Sequence, residues 1–371
     1  MTSLIMVGKT KIQKNLQLLI LEGDGIGPEI CREAVKVLNV LDRKYALNLE
    51  IIIENVGLKS LETVGSTLPE HVVELARGVD GIVMGPMSTN EYPNENNGGI
   101  NPSGTIRKKL DLFANVRPAK SYFRSLGLDR AEIDLVIVRE NTEGFYSDRS
   151  MYIGSGEFMP TEDLAVSVRK ITRSASIRIA KVAFELAQAR SKRLTAVHKS
   201  NVFRLSDGLF LESVRDVKNN YPDIDYSEQI VDAMAARLVR DPENFDVLVT
   251  TNMFGDILSD EASELAGGLG LASSINYGTQ NAMAQAQHGS APEIAGQNIA
   301  NPTALIGSIA MLFNWLGMMR RDPTLEEAAH SIQNALTHLM SNVDARTRDL
   351  GGRNSTSGFG CGVAAYLDRQ S

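Results

Sequence analysis

The run FDVLVTTNMFGDILSDEASELAGGLGLA, residues 245–272, constrains this chain more than any other stretch. FDVLVTTN reads as a buried strand, and it passes directly into a helical pattern that ends in GGLG. A buried strand feeding straight into a helix points to a parallel sheet covered by helices. Asp256 and Asp260 stand four apart on that helix, a spacing that stacks two carboxylates on one face. Two carboxylates converging just beyond a strand are hard oxygen ligands of the kind Mg²⁺ or Mn²⁺ takes. The competing reading is a solvated acidic helix start, where Asp caps the helix and complements its dipole.

At 371 residues the chain exceeds the size at which one hydrophobic core keeps growing, so two domains are expected. The net charge of −7 argues against a chain-wide nucleic-acid or acidic-membrane surface. An anionic small molecule would therefore need local clusters of Arg and Lys. No apolar run approaches the roughly 20 residues that span a bilayer. MTSLIMVGKTKIQKN lacks a secretory pattern and reads as a short tail before the first strand, which suits a cytoplasmic protein. The two cysteines, Cys31 and Cys361, lie far apart and offer neither a disulfide framework nor a thiolate metal site.

QLLILEGDGIGPEI (17–30) is an apolar strand, a glycine turn and a helix opening with Pro28. GDGIGPE matches a dinucleotide fingerprint poorly. Strand and helix patterns alternate through LPEHVVELARGVDGIVMGP, as an α/β domain requires. Residues 88–105, rich in Asn, Gly, Ser and Pro, read as one long loop. Arg107 and Arg117 then flank a strand-like FANVRP, and IDLVIVRENTEGFYSD is a buried strand ending in Arg139, followed by a loop with Tyr146. Three arginines at element ends suit a multiply charged anion, because guanidinium binds carboxylate bidentately. Three unrelated surface arginines are the bland alternative.

Residues 152–172 read as a strand within a small hairpin that pairs subunits. RLTAVHKSNV places Lys199 at a strand end, where a partly buried lysine can act as a base. Asp232 lies in a helical pattern beside Ile230, Val231 and Met234, a setting that calls for a partner or a metal. Residues 273–302 read as a loop carrying His288, Gly289, Glu293 and Asn301, whose carboxylate suits ribose hydroxyls and repels a 2′-phosphate. TALIGSIAMLFNWLG is a helix buried nearly all round. Helices over 324–342 and 358–368 close the chain.

LDLFANVRP, VRENTEG, AVHKSNV, IVDAM, TTNMFGDILSD, GGLGLA and HGSAPEIAGQNIANP occur in this order across nearly the whole chain. Together they resemble the β-decarboxylating dehydrogenases that act on isocitrate, homoisocitrate, 3-isopropylmalate and tartrate or D-malate. The resemblance implies an open α/β fold that is not a Rossmann fold. Residues 1–111 and 267–371 would form a large domain, and 112–266 a small, dimerising one. It implies that Arg107, Arg117 and Arg139 bind the malate-type carboxylates. Tyr146 would protonate the enolate carbon after CO₂ leaves. Lys199, from the partner subunit, would assist loss of the hydroxyl proton. Asp256 and Asp260, with Asp232 of a second copy, would hold Mg²⁺ or Mn²⁺. His288, Gly289, Ala291, Glu293, Ile294 and Asn301 match the cofactor loop, and an acid at Glu293 favours NAD over NADP.

Some positions depart from the family's patterns. Gly104 and Ser103 stand where isopropylmalate enzymes carry two leucines, so the apolar pocket is replaced by a polar one centred on Ser103. Gln285 stands three residues before His288, where the family carries Glu. The expected substrates are then isocitrate or homoisocitrate, followed by tartrate or D-malate, then 3-isopropylmalate. A catalytically silent regulatory subunit is the competing class, but Tyr146, Lys199, Asp232, Asp256 and Asp260 are all present.

Overall fold

The computed structural model describes residues 15–122, 133–146, 151 and 156–369. Residues 1–14 of the N-terminal tail and part of the stretch 152–172 lie outside them. Among the described residues, one large sheet organises the chain, in the order β2-β1-β3-β12-β11-β4-β5-β10-β8-β9. It contains two parallel blocks. The first comprises β1 (Leu16–Leu21), β2 (Leu49–Glu54), β3 (Gly81–Met84) and β12 (Ala282–Gln285). The second comprises β5 (Asp134–Glu140), β8 (Arg193–His198), β9 (Asp225–Ile230) and β10 (Val247–Thr250). Between them β11 (Ile275–Tyr277) and β4 (Ala114–Lys120) pair antiparallel, so the two blocks run in opposite directions. The sheet's direction therefore switches across β12, β11, β4 and β5. Clefts of α/β proteins tend to form at such switches.

The strands read from sequence as apolar runs are buried: every residue of β3 and β10 is inaccessible or nearly so. Helices α1 (Gly27–Tyr45), α9 (Thr303–Arg320), α10 (Pro323–Ser341) and α11 (Thr356–Arg369) pack together over the first block. Nearly all of α9 is buried through Gly317, as its predominantly apolar sequence on every face demands. Helix α8 (Asn252–Ala266) follows β10 after one residue, Thr251, and lies against β4 and β5. It approaches closely because residue 255 is glycine: a Cβ there would meet the side-chain carbons of Arg139 at 2.7 Å.

Three local expectations need correction. The loop read over 88–105 ends earlier, because Asn101 caps a helix, α4 (Pro102–Lys109), by accepting the Gly104 N–H at 2.9 Å. Ser103 and Arg107 thus lie one turn apart on one helix. Residues 275–285, read as loop, form the short strands β11 and β12, whose three- and four-residue lengths give too little periodicity to see. The helical pattern around Asp232 is preceded by a strand, β9, and Asp232 sits in the first turn of α7 (Val231–Arg240). The hairpin reading holds in part: β6 (Glu157–Thr161) and β7 (Leu164–Ser167) pair antiparallel and are largely exposed.

Candidate functional site

The switch region gathers the predicted anion residues and two of the three predicted metal residues, Asp256 and Asp260. Asn115 of β4 pairs with Arg139 of β5, and Arg117 lies two residues further along the same face of β4. Both guanidiniums are almost fully buried. Arg139 donates through Nε and Nη2 to Asn252 Oδ1, at 2.9 and 2.7 Å, and through Nη1 to Asp256 Oδ1. Arg117 donates to Asn115 Oδ1 at 2.6 Å and to Ser259 Oγ at 2.8 Å. Its Nη1 also lies 3.1 Å from Asp256 and 3.3 Å from Asp260. Neutral Asn and Ser side chains thus aim the two cations while leaving their charge intact.

Helix α8 turns Asp256 and Asp260 toward this pair, and Tyr146 donates to Asp256 Oδ2 at 3.1 Å. Arg139 lies over the Tyr146 ring, 5.6 Å from its centroid. Burial pushes the Asp256 carboxyl up, but Arg139, Arg117, the Tyr146 hydroxyl and Arg107 together hold it below the ordinary value. Asp260 moves the other way: burial raises it, Asp256 and Glu264 add to the rise, and Arg117 and Arg139 only partly offset it. Burial and neighbouring Arg139 push Arg117 down to about 10, despite both aspartates. Two buried cations thus lie side by side, balanced by the carboxylates of Asp256 and Asp260.

Arg107 and Ser103 reach the same place from α4. Ile275 of β11 pairs with Val116 on one side and Ala284 on the other, so Arg117 and Gln285 each lie one residue from that row. Gln285 Oε1 accepts from Arg107 Nη2 at 2.8 Å and from Ser103 Oγ at 3.0 Å. Arg can only donate, which fixes the amide orientation.

Lys199 and Asp232 lie together but apart from the aspartates of α8. They follow the adjacent strands β8 and β9, and Lys199 Nζ donates to Asp232 Oδ1 at 2.5 Å. The Asp232 side chain is 68% exposed, and its bond to Lys199 holds its carboxyl below the usual range. Among the described residues, no group of three or more His, Cys, Asp or Glu side chains is arranged to hold a metal ion. A single chain therefore brings Asp256 and Asp260 together and leaves Asp232 facing outward.

The predicted cofactor loop follows β12. His288 Nδ1 lies 2.9 Å from the Gly289 carbonyl, and burial lowers its pKa. Gly289 and Glu293 are exposed, Ala291 adopts a left-handed conformation, and Ile294 packs at the core margin. Asn301 accepts the Thr303 N–H at 3.0 Å and donates to Asp349 at 2.9 Å. The first glycine turn supports this loop: Ile26 N–H donates to the Ser290 carbonyl, and a Cβ on Gly25 would sit 2.0 Å from that oxygen. Asp24 accepts from the Leu58 and Ser88 N–H groups at 2.7 and 2.9 Å, and from the Tyr92 hydroxyl. Ser88 bonds Ser290 at 2.7 Å. Sequence reasoning did not single out Asp24, Asn115, Asn252 or Ser259, which act by supporting other residues.

The strand-direction switch, the paired arginines and the Asp–Tyr contact mark a charged site suited to a carboxylate-bearing small molecule. A family model described as isocitrate/isopropylmalate dehydrogenase matches residues 17–363. A homoisocitrate dehydrogenase from Methanocaldococcus jannaschii is 41% identical over 96% of this chain and 99% of its own. A 3-isopropylmalate dehydrogenase from Sulfurisphaera tokodaii is 39% identical over 91% and 95%. The crystal structure of isocitrate dehydrogenase from Methylococcus capsulatus superposes with a TM-score of 0.83, at 37% identity, covering 95% of this chain and 99% of that one. The chain belongs to the isocitrate/isopropylmalate dehydrogenase family, and it is a dehydrogenase that decarboxylates a hydroxyacid. Among the described residues no helix is long and apolar enough to cross a membrane.

Proposed function

We propose that the protein catalyses NAD- and divalent-metal-dependent oxidative decarboxylation of a 3-substituted (2R)-malate, with isocitrate or homoisocitrate as substrate. The observation that carries this reading is the convergence of Ser103 and Arg107 on Gln285 beside Arg117 and Arg139. The malate carboxylates are assigned to the arginines, and the polar Ser103 corner favours a third carboxylate over an isopropyl group.

Asp256 and Asp260 offer hard oxygens on one helix face and fit Mg²⁺ or Mn²⁺; Asp232 of a second copy would complete the set. Bound metal would act as a Lewis acid toward the substrate oxygen, and bound NAD would accept the hydride. Arg117 and Arg139 hold the anion in place. Lys199 of the second copy takes the hydroxyl proton, and Tyr146 returns one to the carbon that loses CO₂. His288, Gly289, Ala291, Glu293, Ile294 and Asn301 would line the cofactor side, with Glu293 selecting NAD.

A homodimer accounts for the outward position of Lys199 and Asp232. Phe158, Met159 and Leu164 on the hairpin, Val202 and Leu205 near Lys199, and Ile257 beside Asp256 are all exposed apolar side chains that a second copy would cover. We assign residues 1–111 and 267–371 to one domain and 112–266 to the other, with the cleft between them.

The test is NAD reduction with Mn²⁺ on isocitrate, homoisocitrate, 3-isopropylmalate, D-malate and tartrate, repeated with NADP. Strong turnover of one tricarboxylate with NAD is expected. Preference for 3-isopropylmalate overturns the role given to Ser103, and silence throughout by a folded dimer overturns the enzymatic assignment of substrate.

A further inference from the structure

One buried guanidinium lies outside the substrate cluster and touches each of the segments that carry the acid–base groups. Arg169 follows β7, and its side chain is 8% exposed. It pairs at 2.6 Å with Asp207, which is fully buried in the first turn of α6 (Ser206–Lys218). Its Nη1 donates to Ser206 Oγ at 2.8 Å and its Nη2 to Thr251 Oγ1 at 3.1 Å. Its planar group lies against three rings: Phe203 at 4.8 Å, Phe254 at 5.4 Å and Phe145 at 5.8 Å.

Each contact belongs to a different functional segment. Phe145 immediately precedes Tyr146. Phe203 lies in the turn after Lys199, and Phe145 meets it edge-on at 6.4 Å. Thr251 and Phe254 belong to the start of α8, just ahead of Asp256. Asp207 completes the set, because its Oδ2 accepts the backbone N–H of Lys199 at 2.6 Å. The chain beside Arg169 clamps the Tyr146 loop as well: Gly144 and Lys170 exchange backbone hydrogen bonds at 2.8 and 3.0 Å, and Thr172 donates twice to Glu143, each at 2.7 Å.

A buried ion pair costs desolvation and could be replaced by apolar packing if stability were its only role. We propose that Arg169 and Asp207 form a positioning pair that holds Tyr146 and Lys199 in register with each other and with the start of α8. The inference rests on the roles proposed above for Tyr146 and Lys199. Arg169 touches no substrate; it acts through the rings and backbone it fixes. Lysine cannot replace it, since an ammonium lacks both the fork and the flat face. If Lys199 serves a second copy's site while Tyr146 serves its own, the same guanidinium ties groups of two active sites together.

The test compares the full-length protein with Arg169→Lys and Asp207→Asn. Amide hydrogen exchange is followed by mass spectrometry without ligands, and turnover on the active tricarboxylate of the panel. Exchange in 140–146 and in 199–204 should rise together by about tenfold or more, with α9 and α10 unchanged. The kcat should fall by about 10²-fold, with KM for NAD within about threefold. The solvent isotope effect on kcat should also rise, a change that loss of stability alone would not produce. Loosening of one segment without the other overturns the inference, as does loosening of both with kcat unchanged. If Arg169→Lys loses protection everywhere, Phe203→Leu keeps both charges and removes the nearest ring face; unaltered exchange at 199–204 in that variant also overturns it. Wild-type silence on every substrate would defeat the proposed function, and the exchange measurements would still decide the pairing.

Discussion

Asp256 and Asp260 lie four residues apart on one helix, yet their environments should give Asn substitutions unequal effects on stability. Asp256 accepts from Arg139 and Tyr146 and lies 3.1 Å from Arg117. Asp256→Asn leaves two buried guanidiniums facing each other with less counter-charge. Removing one partner of a buried pair costs about 3–5 kcal/mol. Asp256 is 33% exposed and Asp260 still lies 3.3 Å from Arg117, so about 2 kcal/mol is expected here. Unfolding entropy of about 2.1 cal/mol/K per residue gives about 0.8 kcal/mol/K for 371 residues, so Tm should fall by about 2–3 °C. The folded pKa of Asp256 is depressed, so its contribution is present above the unfolded value near about 4 and is lost as pH falls through the folded one. That acid limb should be missing in Asp256→Asn. Asp260 has a raised pKa, so its ionised form is disfavoured by folding, fully above the folded pKa and not at all below the unfolded one. Its side chain is 51% exposed, so Asp260→Asn should be neutral or stabilising by at most about 0.5 kcal/mol. Thermal unfolding of both variants at pH 7 and pH 4 without metal reads the difference. An equal loss in the two variants would refute the charge assignment.

Other substitutions isolate single steps. Tyr146→Phe should lower turnover by about 10²–10⁴-fold and spare substrate binding, read as kcat against KM; a rise in KM alone would assign Tyr146 to binding. Glu293→Lys should move the ratio of kcat/KM for NAD over NADP by about 10–100-fold, or about 1.4–2.8 kcal/mol. An unchanged ratio would remove Glu293 from the ribose site. Asp24→Asn replaces an acceptor of three donors with one that can serve only part of them, so it should cost about 1–3 kcal/mol in a denaturant titration; a cost near zero would show that Asp24 does not tie the Ser88 loop down.

What the sequence disclosed depended on whether a residue acts by itself or through another. The buried strands that carry Arg139 and Thr250 and the largely buried α9 are strongly patterned and present as expected. The Asp256–Asp260 spacing needed only the helix period. The strands β11 and β12 were missed because segments of three and four residues, each with a polar amide among apolar ones, fit a loop equally well. Helix α4 was hidden because Asn, Pro, Ser and Gly fill its first turn, and those residues favour turns as readily as caps. Asp232 looked buried by its neighbours, but its helix begins there and turns the carboxylate outward. Arg169 and Asp207 left no signal because their meaning lies in a contact across 38 residues of chain with three rings from separate segments.

If Asp256 holds the metal and Arg117 and Arg139 the substrate, as proposed, the same geometry predicts that the two ligands bind cooperatively. In this arrangement Asp256 Oδ1 is engaged by Arg139 and Arg117, and its Oδ2 by Tyr146. A divalent cation at Asp256 must compete with those two guanidiniums, which repel it. A substrate carboxylate drawn to Arg117 and Arg139 offsets their charge and frees the aspartate oxygen, so each ligand should tighten the other by the same factor. Relief of even one close like-charge contact at an effective dielectric near 20 is worth more than about 1.4 kcal/mol, or tenfold. Calorimetric titration of Mn²⁺ without NAD, with and without the preferred tricarboxylate and corrected for complexation in solution, measures the factor. In Arg139→Lys, where the ammonium keeps the charge but loses the fork to Asn252 and Asp256, the coupling should shrink. An Mn²⁺ dissociation constant that ignores the substrate would mean that the arginines do not gate Asp256, and that cation and anion occupy the cleft independently.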